Sequence, residues 1–142
     1  MAEIISIAQE KGGGGKSTTA VGLASILLEA GAVVALIDTD EKQLTTSKWC
    51  ELKNHENLYS SVVGDHRELS TYVDQLHEHA DVIIIDTSGF ENRMLPYSIG
   101  VADLVLIPAK PSIPDKDGIE KTYKEVVAIN GLRQSEIPTR VV

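Results

Sequence analysis

Lys11-Gly-Gly-Gly-Gly-Lys-Ser-Thr-Thr19 brings two lysines, four glycines and three hydroxyl side chains into one short stretch. Residues of these types at this spacing suit phosphate binding. Gly12, Gly13, Gly14 and Gly15 let backbone N–H groups converge on an anion, and a helix opening at Lys16 would add the favourable dipole of its N-terminus. Lys16 would reach the β- and γ-phosphates, and the Ser17 hydroxyl would sit on Mg²⁺. A glycine linker with incidental lysines is the plain alternative. Linkers seldom join a buried strand to a helix, however. Here the apolar run Ile4–Ala8 leads in and the helix-like stretch Lys16–Ala30 leads out.

Three acidic residues could complete such a site. Asp38-Thr-Asp40 closes a second apolar run, and a carboxylate at a strand tip beside a phosphate loop can orient Mg²⁺-bound water or an attacking water. The competing reading is a turn aspartate that caps the next helix. Asp86 ends Val82-Ile-Ile-Ile, and an Asp after four apolar β-formers can hold Mg²⁺ through water. That pattern is weak alone and strong behind a phosphate loop. Gly89 would let the backbone approach the γ-phosphate region. His55, His66, His77 and His79 show no metal-ligand spacing; His77 and His79, two apart, point to different faces of a helix. Cys50 is the single cysteine, so neither an intramolecular disulfide nor a Cys-based metal site can form. It reads as a small packing residue on a helix.

These residues need a frame that gathers them. Ile4–Ala8, Val33–Asp38, Val82–Asp86 and Leu104–Pro108 are nearly all apolar, as strands buried on both faces of a parallel sheet are. Leu58–Val63 is a weaker strand, and Pro138-Thr-Arg-Val-Val ends the chain like a strand beginning. The helix from Lys16 stops at Gly31. Leu44–Lys53 is helical, with Trp49 and Leu52 inward. Asp65-His-Arg-Glu68 resembles a capping box ahead of Leu69, Tyr72, Val73, Leu76 and Ala80. Pro96 interrupts a helix over Asn92–Ala102. A last stripe, Ile119, Tyr123, Val126 and Val127, ends at Asn130-Gly131. Strands alternating with helices predict a single domain over residues 1–142, doubly wound, with a mainly parallel sheet and helices on both faces. Ligands of such sheets bind beyond the carboxyl ends of the strands, where Lys11–Ser17, Asp38, Asp40 and Asp86 fall.

The 142 residues, 42 % hydrophobic and 24 % charged, suit one soluble globular domain. No run is apolar and long enough for a membrane span, and the N-terminus lacks signal-peptide character; a reducing cytoplasm is expected. The net charge of −8 does not favour non-specific nucleic-acid binding, which needs clustered Lys and Arg.

The usual pattern G-x-x-x-x-G-K-[ST] is not met, because Glu10 stands at its first glycine. The variant K-G-G-x-x-K-[ST] is met by Lys11, Gly12, Gly13, Lys16 and Ser17. With its extra lysine the chain resembles the deviant Walker A NTPases of the ParA/MinD family. Asp40-Glu-Lys, Thr46-Ser-Lys-Trp49, Asp86-Thr-Ser-Gly89, Leu106-Ile-Pro108, Pro111-Ser-Ile-Pro-Asp115 and Ile137-Pro-Thr139 resemble a narrower group. These are the small ParA-type ATPases of plasmids, including the one that assists T-DNA transfer.

The resemblance implies a P-loop NTPase fold and slow hydrolysis of ATP with Mg²⁺. It implies an ATP-dependent homodimer acting as a switch in plasmid or DNA partition or positioning. DNA and a centromere-binding or cargo adaptor protein are the implied partners. By resemblance, Lys11 reaches the partner's phosphates across the dimer, Lys16 acts beside it, and Asp40 positions the hydrolytic water. Gly12–Gly15, Lys16, Ser17 and Thr18 hold the phosphates; Ser17, Asp38 and Asp86 serve the metal. The alternatives are a MinD-like spatial regulator, carrying a C-terminal amphipathic helix, and a nucleotide-binding scaffold that scarcely hydrolyses. An iron–sulfur member would need paired cysteines. Glu10 and Gly14 depart from the family pattern. Members are longer, so adenine and DNA contacts are expected beyond Val142.

Overall fold

The computed structural model describes residues 2–8, 16–87, 93–109, 113–133 and 136–142. Six strands form one sheet: β1 (Glu3–Ile7), β2 (Val34–Asp38), β3 (Leu58–Val62), β4 (Val82–Asp86), β5 (Leu104–Ile107) and β6 (Thr139–Val141). Their order is β3-β2-β4-β1-β5-β6, and every pairing is parallel. Five helices connect them: α1 (Lys16–Glu29), α2 (Thr45–Lys53), α3 (Leu69–Leu76), α4 (Met94–Val101) and α5 (Ile113–Arg133). The expected doubly wound α/β architecture is therefore present. No helix among the described residues is long and apolar enough to cross a membrane.

The central strands are mostly apolar because they are covered twice. Side chains alternate between faces along a strand. Val34, Leu36 and Ile84 pack with Ala20, Ala24 and Leu28 of α1 and Cys50 of α2. Ala35, Ile37, Ile83 and Ile85 pack with Leu69 and Val73 of α3 and Met94 of α4. A third cluster joins Val105 and Ile107 to Leu95, Ile99 and Val126. At the amino ends of the strands two carboxylates serve the backbone: Asp103 accepts from the Ile4 N–H (2.9 Å) and Asp81 from the Val33 N–H (2.8 Å).

Gly31 stops α1 as expected. It has φ +88°, its N–H donates to the Leu28 carbonyl, and the Ala32 N–H donates to Leu27. This is the paired closure that a left-handed glycine permits.

Five local expectations change. On α2, Leu52 is 86 % exposed; Thr46 and Cys50 are buried instead, with Trp49 partly so. On α5, Tyr123 and Val127 face solvent, while Gly118, Thr122 and Val126, four residues apart, face inward. That helix also runs through Asn130-Gly131 to Arg133. Its last turn is tied by Arg133 Nη1 donating to the Ala102 carbonyl (2.8 Å) and by Asn130 Oδ1 accepting from the Ile137 N–H (2.9 Å). Those tertiary bonds offset the roughly 1 kcal/mol that a mid-helix glycine costs. Finally, Asp65 caps a 3₁₀ turn, His66–Glu68, by accepting from the Arg67 N–H (2.9 Å) ahead of α3. Pro96 falls in the first turn of α4, where a missing N–H breaks no helical bond.

Candidate functional site

The register of the central strands places the acidic positions together. Asp86 pairs with Asp38 on one side and with Ile7 on the other, so the ends of β1, β4 and β2 form one row. Thr39 fastens that row: its hydroxyl donates to the Asp86 carbonyl at 2.8 Å, and its N–H reaches the same oxygen at 3.2 Å. The α1 N-terminus lies over it. Ser17, in the first turn, donates its hydroxyl hydrogen to Asp86 Oδ2 at 2.8 Å. Sequence positions 69 apart thus share one hydrogen bond.

Electrostatics follow from burial. Asp86 is 5 % exposed. Removal from water raises its pKa to about 6; the Ser17 hydrogen bond opposes the rise, the Asp38 charge adds to it, and Lys16 and the Thr46 hydroxyl oppose it. Lys16 opens α1, and its partial burial lowers the ammonium pKa while the Asp86 and Asp40 charges pull it back up. An acid pushed towards its neutral form and an amine pushed the same way both gain from ligand charge. The acid is stabilised by a cation and the amine by an anion.

Asp38 and Asp40 also carry the local roles of turn aspartates. Asp38, 2 % exposed, accepts from the Asp40 N–H at 3.0 Å and from the Ser47 N–H at 3.1 Å. Asp40 accepts from the Lys42 and Gln43 N–H groups at 3.1 and 3.2 Å. The same loop holds Leu44 at φ 54°, a left-handed conformation that costs an ordinary side chain about 1–2 kcal/mol. Thr18 is exposed in the first turn of α1. Lys11, Gly12, Gly13, Gly14, Gly15 and Glu10 lie outside the described residues, as do Gly89 and Pro111.

Three residues escaped sequence reasoning. Thr39 is the strand clasp. Thr87 shares a 2.6 Å hydrogen bond with the Ser98 hydroxyl of α4, and Ser6 of β1 donates to the Ser98 carbonyl at 2.8 Å. Thr46 is fully buried, and its hydroxyl has no hydrogen-bond partner among the described residues, although it lies near enough to influence Asp86. Proximity to the Asp-x-Asp turn was the one signal that could have pointed to it.

A divalent cation fits this donor set. Mg²⁺ is held by one or two carboxylates, a hydroxyl, waters and substrate phosphates, seldom by an all-protein cage. Buried Asp86, hydrogen-bonded Ser17 and the orphaned Thr46 hydroxyl suit that pattern. Among the described residues no cluster of three or more His, Cys, Asp or Glu forms a cage. The histidines serve elsewhere: His55 and His77 accept backbone N–H bonds, and His66 stacks on Tyr97.

Comparison with known proteins agrees with the geometry. A family model described as "ATPase MipZ" matches residues 3–62. Protein ParA of Rhizobium radiobacter is 36 % identical over 116 residues, covering 79 % of this chain and 50 % of that protein. Protein virC1 of Rhizobium rhizogenes is 30 % identical over 146 residues, covering 99 % of this chain and 63 % of its own length. A Borrelia burgdorferi plasmid partition protein, solved with AMPPNP bound, superposes with a TM-score of 0.76 at 25 % identity. That match covers 99 % of this chain and 74 % of the other. The chain thus spans between half and just under two thirds of these curated relatives. Sequence match and sheet order agree, and over this length the chain is similar to the ParA/MinD-type ATPases.

Proposed function

We propose that the chain binds ATP with Mg²⁺ at the carboxyl edge of β1, β4 and β2. In this reading it hydrolyses ATP slowly and works as an ATP-dependent dimer switch in the partition or positioning of plasmid or other DNA, in the cytoplasm. One observation carries the reading: the α1 N-terminus presents Ser17 to Asp86 at 2.8 Å, with the Lys16 ammonium under the influence of both Asp86 and Asp40. A cation-seeking carboxylate and an anion-seeking ammonium side by side suit a metal-bound polyphosphate.

Gly12–Gly15 and Thr18 would donate to the phosphates, and Lys16 would neutralise the β- and γ-oxygens. Ser17 and Asp86, with Asp38 behind them, would hold Mg²⁺, which supplies Lewis-acid charge to the phosphoryl group. Asp40 would orient the attacking water and take up its proton. Lys11 would enter the partner subunit's site and stabilise charge there as a finger supplied in trans. DNA and a cargo adaptor protein are the proposed partners, supported by the ParA and plasmid-partition relatives.

Titration calorimetry with ATP and Mg²⁺ tests the site. Wild type should bind and Lys16→Ala should not, with circular dichroism confirming that both are folded. Equal affinities would overturn the assignment. Light scattering with AMPPNP tests the switch: wild type should dimerise and Lys11→Ala should remain monomeric. A Lys11→Ala dimer with normal turnover would remove Lys11 from the mechanism.

A further inference from the structure

Among the described residues, Thr46 Oγ1 is the one buried side-chain polar atom without a hydrogen-bond partner. The residue is fully buried, so solvent does not compensate. Leaving a buried hydroxyl unmade is costly, and its surroundings indicate what it waits for. Thr46 is the second residue of α2, yet it is not the helix cap, since the cap position is Leu44 and makes no side-chain bond. Its neighbour Ser47 donates its N–H to Asp38, which fixes this turn against the row of strand ends. Asp86, the residue that Ser17 contacts, is also faced by the Thr46 hydroxyl, which lowers its pKa as a hydrogen-bond donor does but does not reach hydrogen-bond geometry. Thr46 thus approaches from α2 the carboxylate that Ser17 approaches from α1.

We infer that Thr46 is a positioning residue for the hydrated cation of the bound nucleotide, its hydroxyl gaining a partner only when that water shell is in place. The inference rests on the ATP–Mg²⁺ reading above. It gives α2 a polar contact that differs between the empty and loaded states. The Asp38–Asp40 turn and α2 would then be drawn onto the site by the metal's waters as well as by the phosphates.

Two variants test it. Thr46→Val keeps the shape and removes the hydroxyl; Thr46→Ser keeps the hydroxyl. In the nucleotide-free protein, Thr46→Val should melt at the wild-type temperature or above, because it deletes an unsatisfied group. ATP affinity is then measured by calorimetry in Mg²⁺ and again in EDTA. The Mg²⁺-dependent gain in affinity should fall about 3- to 10-fold in Thr46→Val, the usual contribution of one hydrogen bond, and persist in Thr46→Ser. A full Mg²⁺-dependent gain in Thr46→Val would overturn the inference and leave the ATP reading intact. A lowered melting temperature of nucleotide-free Thr46→Val would also overturn it, by showing that the hydroxyl is already satisfied. Wild type that binds ATP equally with and without Mg²⁺, or not at all, would overturn the metal or nucleotide reading and this inference with it.

Discussion

Replacing Asp86 with Asn should make the nucleotide-free protein more stable at neutral pH. Asp86 is 5 % exposed, and burial, reinforced by the Asp38 charge and opposed by the Ser17 hydroxyl and Lys16, lifts its pKa from 3.8 to about 6. Below pH 3.8 the carboxyl is protonated in both folded and unfolded chains. Between about pH 4 and pH 6 the folded protein keeps a proton that the unfolded chain has lost, so stability falls as pH rises. Above that window both are ionised and the loss is complete. Each tenfold change in acidity constant is 1.36 kcal/mol, which makes the full loss about 3 kcal/mol. Asn keeps an acceptor for Ser17 but forfeits the attraction of Lys16, so the net gain should be about 1–3 kcal/mol at pH 7. Urea unfolding in EDTA, without nucleotide, from pH 4 to 8 measures it. Other carboxylates distant from the site cancel in the difference between the two proteins. The difference should be small at pH 4, grow to about pH 6 and then level. A pH-independent difference, or an Asp86→Asn protein less stable than wild type at pH 7, would refute the reasoning.

Asp40→Ala should retain ATP binding and lose phosphate release in a colorimetric turnover assay. It should also cost about 1 kcal/mol in a melt, because the Lys42 and Gln43 N–H groups lose their acceptor. Ser98→Ala should destabilise by about 1–3 kcal/mol in urea, since it strands the fully buried Thr87 hydroxyl. Ile84→Ala, fully buried between β4 and α1, should cost about 2–5 kcal/mol and show as a lowered Tm.

The central strands were legible in the sequence because burial on two faces leaves little room for polar residues, and the buried Ser6 of β1 is accommodated by its bond to the Ser98 carbonyl. Val82-Ile-Ile-Ile before Asp86 admits few other readings, and Gly31 announces its own turn. Helix faces were less legible. Tyr123 and Val127 share a stripe with Val126, yet the inward side of α5 is set by where α4 and β5 lie, and Gly118 and Thr122 fit there because they are small. Leu52 misled similarly, since α2 meets the sheet through Thr46 and Cys50. The residues of the site stood out by type and spacing, but Asp38 beside Asp86 is a fact of strand order, to which sequence distance gives no clue. Thr39, Thr46 and Thr87 lay within or beside quoted motifs, but nothing in their type or spacing told their individual roles. A threonine becomes a clasp, an orphan or a brace only through what lies across from it.

The strand order also sets a timetable. β1 precedes the other described strands in sequence, yet among them it pairs with β4 and β5. Ile4 meets Ile83 across the sheet, so at 5–20 residues per second the strand waits about 4–16 s while about 80 residues are made. Meanwhile β2 and β3, adjacent in sequence and in the sheet, can already pair. The β1–β4 seam therefore closes after the β2–β3 pair can form, and the pairings of β5 and β6 follow it. Until β4 and β5 are made, Ile4, Ile5 and Ile7 lack their strand neighbours, which makes the pace of translation and the presence of chaperones part of how this fold is reached.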